Sequence, residues 1–214
     1  MNSPTTCKEA GAAKLFVLAA PSGAGKTTLV NALVERNPGL RVSVSYTTRS
    51  QRVTEVEGRD YHFVTTEEFS RLRDAGELLE SALVFDNFYG TSRAGVQEHL
   101  DQGHNVILEI DWQGARQVRQ SMPGCVTIFI LPPQRSELER RLRSRKTDSD
   151  EVIERRLRDA LSDMSHWREF DYVIINDQLD QAVERVEAVL CGQGEEDRSD
   201  HSGVRARVAR VVGA

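Results

Sequence analysis

The most constraining feature of the chain is the segment Ala20-Pro21-Ser22-Gly23-Ala24-Gly25-Lys26-Thr27, with Thr28 directly after it. It lies between a continuous apolar run, residues 15–19 (LFVLA), and a helical stripe of Leu29, Val30, Leu33 and Val34. A buried strand, a glycine-rich turn and a helix start, in that order, aim successive backbone N–H groups at one point where phosphate oxygens bind. In such a segment Lys26 reaches the outer phosphates and the Thr27 hydroxyl ligates magnesium. The first glycine usual at this spacing is Ala20 here. Its methyl group is small, and Gly23 and Gly25 still permit close backbone approach.

The same alternation continues down the chain. Residues 105–110 (NVILEI), 126–131 (VTIFIL) and 172–176 (YVIIN) read as buried strands, and helical spacing follows each. Residues 41–46 (RVSVSY) alternate as one further strand, and Thr65-Thr66-Glu67-Glu68 opens a capped helix ending near Gly76. Repeated strand-then-helix units predict an α/β fold whose parallel sheet is covered on both faces. The irregular block 45–90, ending in a small antiparallel piece, reads as an insertion on that core. Residues 192–214 open with GQGEEDRSDHSG, which predicts a loose end.

Composition narrows the function classes. A chain of 214 residues with one uninterrupted pattern predicts a single domain, and a net charge of −5 argues against a nucleic-acid binder. Cys7, Cys125 and Cys191 are far apart and form no C-x-x-C pair, so neither a disulfide framework nor a zinc site is expected. The longest early apolar run, 15–20, is far too short to span a bilayer, and residues 1–14 lack the long apolar stretch expected of a leader. A cytoplasmic protein without a membrane partner is the expectation. The oligomeric state stays open, a homo-oligomer included.

Two further groups suit phosphate chemistry. Glu109 and Asp111 close the strand NVILEI, where ligands of open α/β sheets gather. There they are candidates to hold magnesium or its waters. Arginines cluster in two irregular segments, Arg49 with Arg52, and Arg140, Arg141, Arg143 and Arg145 with Arg155 and Arg156 beyond. Transfer of a phosphoryl group needs cations on the donor and acceptor sides alike, and guanidinium forks bind phosphate bidentately.

Taken in order, APSGAGKTTL, SVSYTTRSQR, EGRDYHFV, TTEEF, GELLE, NFYGTSR, LEIDWQG, RRLRSR and YVIIND resemble the guanylate kinase family over residues 14–191. The resemblance implies a P-loop NTPase three-layer fold with a central parallel sheet, an inserted mixed α/β region that binds GMP, and a mobile helical lid. It divides the chain into a core (14–44, 91–134 and 157–191), the insertion 45–90, the lid 135–156, and flexible ends at 1–13 and 192–214. It implies transfer of the γ-phosphate of ATP to GMP, and also to dGMP, with Mg2+ as cofactor. Arg49, Arg52, Tyr61 and Tyr89 would hold the GMP phosphate. Glu80 and Ser45 would read guanine, with Gly90, Thr91, Glu109 and Asp111 completing that side. Residues 20–28, Arg141, Arg145 and Asn176 would hold ATP. Lys26, Arg49, Arg145 and Arg156 would carry the catalytic charge.

The chain departs from the family pattern at a few positions. Gln51 replaces a proline between the paired arginines, which predicts a looser loop. Lys146 stands where glycine is common in the lid turn, Tyr46 is at a variable position, and Glu109 replaces a frequent aspartate. None of these deletes a phosphate-binding group. The competing readings are a catalytically inactive kinase-like module that binds proteins, and a kinase for another acceptor such as AMP. Retention of Lys26, Thr27, Arg49, Arg52, Glu80 and Arg145 argues against the first, and Glu80 in the context of Ser45 and Tyr61 argues against the second.

Overall fold

The computed structural model describes residues 12–84, 86–144 and 150–212. In chain order it holds β1 (Leu15–Ala19), α1 (Lys26–Arg36), β2 (Leu40–Val42), β3 (Ser45–Thr47), β4 (His62–Phe63), α2 (Thr66–Asp74), β5 (Leu78–Val84) and β6 (Asn87–Ser92). There follow α3 (Arg93–Asp101), β7 (Asn105–Ile110), α4 (Trp112–Ser121), β8 (Val126–Leu131), α5 (Arg135–Ser144), α6 (Asp150–Met164), β9 (Tyr172–Ile175), α7 (Leu179–Leu190) and α8 (Ser202–Val212). The fold is α/β, with a central parallel sheet ordered β2-β7-β1-β8-β9. All five residues of β1 are buried, as a strand covered on both faces requires.

Packing groups the described residues into two compact units, Ala12–Val17 with Gly39–Cys125, and Leu18–Pro38 with residues 126–212. The first carries a second sheet, ordered β4-β3-β6-β5. The β5–β6 hairpin turns at Asp86, whose φ is 65°, a conformation that Asp tolerates better than most residues. Phe69, Leu72 and Leu78 form the buried cluster beneath this sheet, with Tyr46, Val64 and Phe88 packed against it. Thr65 caps α2 by accepting the Glu68 N–H at 3.1 Å, as its sequence predicts. Gln117 of α4 binds the outer side of β5, accepting from Ser81 N at 3.1 Å and donating to Ser81 O at 2.8 Å.

One strand expectation needs correcting. Residues 41–46 are not one strand: Leu40–Val42 pairs with β7, whereas Ser45–Thr47 belongs to the second sheet. The alternation of RVSVSY runs unbroken through the point where the chain changes sheets, so the pattern alone does not mark it.

In the other unit, Leu138, Leu142, Ile153 and Ala160 join α5 to α6 in a buried cluster. The C-terminal segment also departs from expectation, because residues 192–212 are not a loose end. Val204, Val208 and Val211 recur at helical spacing and are all buried, and each contributes about 1.5 kcal/mol as an upper bound. Asp197, 4% exposed, accepts from Arg185 Nε at 2.9 Å and from Arg207 at 3.2 Å. Composition reads GQGEEDRSDHSG as disordered because it counts charges without their partners. Cys191 is disulfide-bonded, where the cysteine spacing predicted no disulfide framework.

Candidate functional site

The phosphate-seeking loop has the geometry its glycines require. Gly23 and Gly25 lie at φ 87° and 89°, in the left-handed region that L side chains rarely adopt. Space forbids a side chain as well. A Cβ on Gly25 would stand 2.7 Å from Asn176 Nδ2, and one on Gly23 would stand 3.1 Å from Leu138 and Leu142 of α5. Gly25 leads directly into α1, so Lys26, Thr27 and Thr28 form its first turn, where helix N–H groups point out along the axis. Ala24 is fully buried, and its carbonyl oxygen accepts from Arg141 Nη1 at 3.2 Å and from Asn176 Nδ2 at 2.9 Å.

Arg141 is thereby fixed beside the loop. Its other nitrogens reach Glu137 at 2.8 Å and the Asn176 carbonyl at 3.3 Å. Hydrogen bonds from Arg140 and Arg141 hold the Glu137 carboxyl far below the ordinary range, at about 2. The side chain of Asn176, expected at the adenine, is buried and bound to the loop backbone. Arg156 lies half-buried on α6. Arg145 and Lys146 fall outside the described residues.

The second sheet arranges the other candidates in a row. Ser45 of β3 pairs with Thr91 of β6, and Thr91 pairs with Glu80 of β5, so register alone sets the three abreast. Glu80 is 4% exposed and Thr91 is fully buried, and the Thr91 hydroxyl donates to Glu80 Oε1 at 2.6 Å. The other oxygen, Oε2, lies where a Cβ on Gly114 would stand only 2.5 Å away. Gly114 in turn donates its N–H to Asp111 Oδ1 at 2.8 Å, which caps α4. Asp111 therefore has a structural task at the helix start, and its other oxygen accepts from Gln113 at 3.1 Å.

Gly90 takes a different place from the one expected. A side chain there would strike Leu78 at 2.8 Å and Phe69 at 3.0 Å, so its bareness serves the apolar cluster. By strand alternation Tyr89 and Thr91 face the opposite side.

Around the end of that row sits a cationic group. Arg49 donates to both oxygens of Glu55, at 2.8 and 3.1 Å, and its Cζ lies 5.4 Å from the centre of the Tyr61 ring. Burial alone would lower the Arg49 guanidinium, but Glu55 and the Tyr89 phenol outweigh it and raise it. Burial, followed by the charge of Glu109, pushes the Tyr61 phenol up to about 12, so it stays a hydrogen-bond donor at neutral pH. Tyr61 and Tyr89 meet edge to face at 5.9 Å. Glu55 also accepts the Arg52 N–H at 2.8 Å. Gln51, expected to loosen this loop, ties it instead by donating to the Glu55 carbonyl at 2.7 Å.

Sequence reasoning missed three residues that shape the site. Glu55 and Glu137 are the carboxylates that hold Arg49 and Arg141, and their spacing to those arginines (i+6 and i−4) was the available signal for Glu137 alone. Gly114 could not be found from sequence, because what it makes room for comes from a strand more than thirty residues earlier.

A loop of this geometry on a parallel α/β sheet, with arginines beside it and a separate buried carboxylate in a polar row, defines a nucleotide-dependent phosphotransferase of the P-loop type. The sequence pattern of the guanylate kinase family matches residues 12–193. The chain is 54% identical to the guanylate kinase of Pseudomonas fluorescens over 176 residues, 82% of this chain and 85% of that one. It is 55% identical to the guanylate kinase of Alkalilimnicola ehrlichii, covering 82% of this chain and 87% of the relative. The crystal structure of guanylate kinase from Anaplasma phagocytophilum superposes with a TM-score of 0.73 at 35% identity, covering 95% of this chain and 97% of that one. The chain belongs to the guanylate kinase family, and it is an enzyme of the nucleoside-monophosphate kinase class.

Proposed function

We propose that the chain transfers the γ-phosphate of ATP to GMP, and to dGMP, giving ADP and GDP. The observation that carries the acceptor is Glu80. A buried carboxylate needs donors, and guanine presents two on one edge, N1–H and the 2-amino group. Adenine presents a bare N1 there and would leave Glu80 unpaired, which is the kind of loss that gives large discrimination. Ser45 and Thr91, abreast of Glu80, complete the reading of the base. Arg49, Arg52, Tyr61 and Tyr89 hold the acceptor phosphate, with Glu55 keeping the Arg49 fork extended until that phosphate arrives.

On the donor side, the N–H groups of residues 23–28 and Lys26 hold the β- and γ-phosphates. Arg141, Arg145 and Arg156 neutralise charge as the phosphoryl group moves. No general base is required, because positioning and charge neutralisation supply most of the rate. The donor set suits magnesium arriving with ATP. Thr27 offers one hydroxyl, and among the described residues no group of three or more His, Cys, Asp or Glu forms a protein cage for a metal. There Thr27 would hold Mg2+, with Glu109 or Asp111 ordering its waters, and the ion would offset the phosphate charge. The organisation into core, GMP-binding insertion and lid belongs to this reading, as does a cytoplasmic setting, where both substrates are found. Among the described residues no helix is long and apolar enough to cross a membrane.

The test is an acceptor panel. ATP and magnesium are supplied with GMP, dGMP, AMP, CMP or UMP, and ADP release is followed. Fast turnover with the guanine nucleotides alone is expected. Equal turnover across the panel, or none with GMP, would overturn the proposal.

A further inference from the structure

Residues 194–212 lie beyond the stretch that matches the family pattern, yet they are folded against the body of the chain. With α7 and the end of β9 they wall a groove of about 310 Å3, at the small end of the range for ligand sites. Its apolar surface comes from Pro133, Ile175 and Val211. Its charged lining is three guanidiniums, Arg185, Arg207 and Arg210, against one carboxylate, Asp177, with the amides of Gln178 and Gln181 alongside.

The arginines are unevenly satisfied. Asp197, behind the groove, serves both Arg185 and Arg207, and the buried Nε of Arg207 has no hydrogen-bond partner among the described residues. Burial and then the nearby Arg207 charge lower the Arg185 guanidinium, which the charge of Glu196 offsets in part. An anion entering the groove would relieve that repulsion. Arg207 and Arg210 stand three apart on α8, so both reach the same side of the helix. Asp177 works against a bare anion, so a fitting ligand also brings an N–H donor.

We propose that the groove is a second nucleotide site, built by the C-terminal extension. A nucleoside phosphate sets its phosphates on Arg207 and Arg210, its base against Pro133 and Val211, and a base N–H on Asp177. The site adjoins the phosphate loop through a single residue. Ile175 and Asp177 flank Asn176, whose amide binds the Ala24 carbonyl.

Equilibrium dialysis of ADP against the full chain, with GMP saturating, tests the proposal. A second, weaker ADP beyond the one at the phosphate loop is expected. Arg210→Glu should weaken that second ADP by about tenfold or more, and Gln181→Ala by less, with kcat for ATP and GMP unchanged. One ADP per chain, or a second ADP indifferent to both variants, overturns the proposal. Inorganic pyrophosphate is the control for charge alone and should bind the groove more weakly than ADP. Binding as tight as that of ADP would overturn the base-reading part. Because dialysis reads binding and not turnover, its failure leaves the phosphotransfer proposal standing.

Discussion

The loop half and the second-sheet half of the candidate residues, one in each unit, hold their phosphate-seeking groups by different means. Around the loop the groups are backbone, and side chains such as Arg141 and Asn176 serve to hold a carbonyl and a turn in place. In the second sheet the groups are side chains, and backbone register serves to set them abreast. A backbone site tolerates a changed side chain wherever the main-chain angles survive, which is why Ala20 is acceptable where a glycine is usual. A side-chain site tolerates no change of functional group, yet accepts other residues wherever only spacing matters.

The largest expected effect tests the loop half at the side chain proposed to reach the outer phosphates. Lys26→Met should lower kcat by about 1,000-fold, with thermal unfolding unchanged. Retained turnover would show that backbone N–H groups suffice. Next comes Glu80→Gln, which should lower kcat/KM for GMP by about 100-fold and leave the KM for ATP near its starting value. A parallel loss for ATP would erase the distinction between the halves.

Two added methyl groups sharpen the contrast. Gly25→Ala forces an L residue to φ 89° against Asn176 and should raise the KM for ATP about tenfold. Gly114→Ala has no such strain, but it pushes Glu80 aside and should raise the KM for GMP by a similar factor. Each variant should spare the other substrate. Steady-state kinetics with one substrate saturating separates these outcomes.

The smallest effect concerns Glu55. Burial would raise its carboxyl, but the hydrogen bond from Arg49 and the Arg52 N–H win and lower it. A depressed carboxylate contributes stability that is present above the unfolded value, about 4.3, and is lost as pH falls through the folded value. Wild type should therefore melt slightly above Glu55→Gln at pH 7, and the gap should close in acid. A gap that widens in acid would reverse the assigned sign.

The loop half was legible from sequence because its information is local. Strand, glycines, lysine and helix are contiguous, and the fold class follows from repetition of that unit. The second sheet was less legible. Its row of Ser45, Thr91 and Glu80 depends on register between strands far apart in the chain, and the strand break inside 41–46 is silent in the pattern. The C-terminal segment misled for another reason. Charges counted along the chain look like solvent-facing disorder, and only the pairing of Asp197 with Arg185 and Arg207 shows an anchor. Gly90 was placed by resemblance and Asp111 by its strand end as well, and neither signal distinguishes a packing or capping task from contact with a ligand.

The Gln117 clasp on Ser81 has a consequence for the life of the protein at high concentration. β5 is the outer strand of its sheet, and an open strand edge offers a template on which another chain can add. A glutamine amide that both donates and accepts imitates one residue of a neighbouring strand and occupies that template. The residue before Ser81 is Glu80, so the strand that carries the proposed base-reading carboxylate is also the one guarded against self-association.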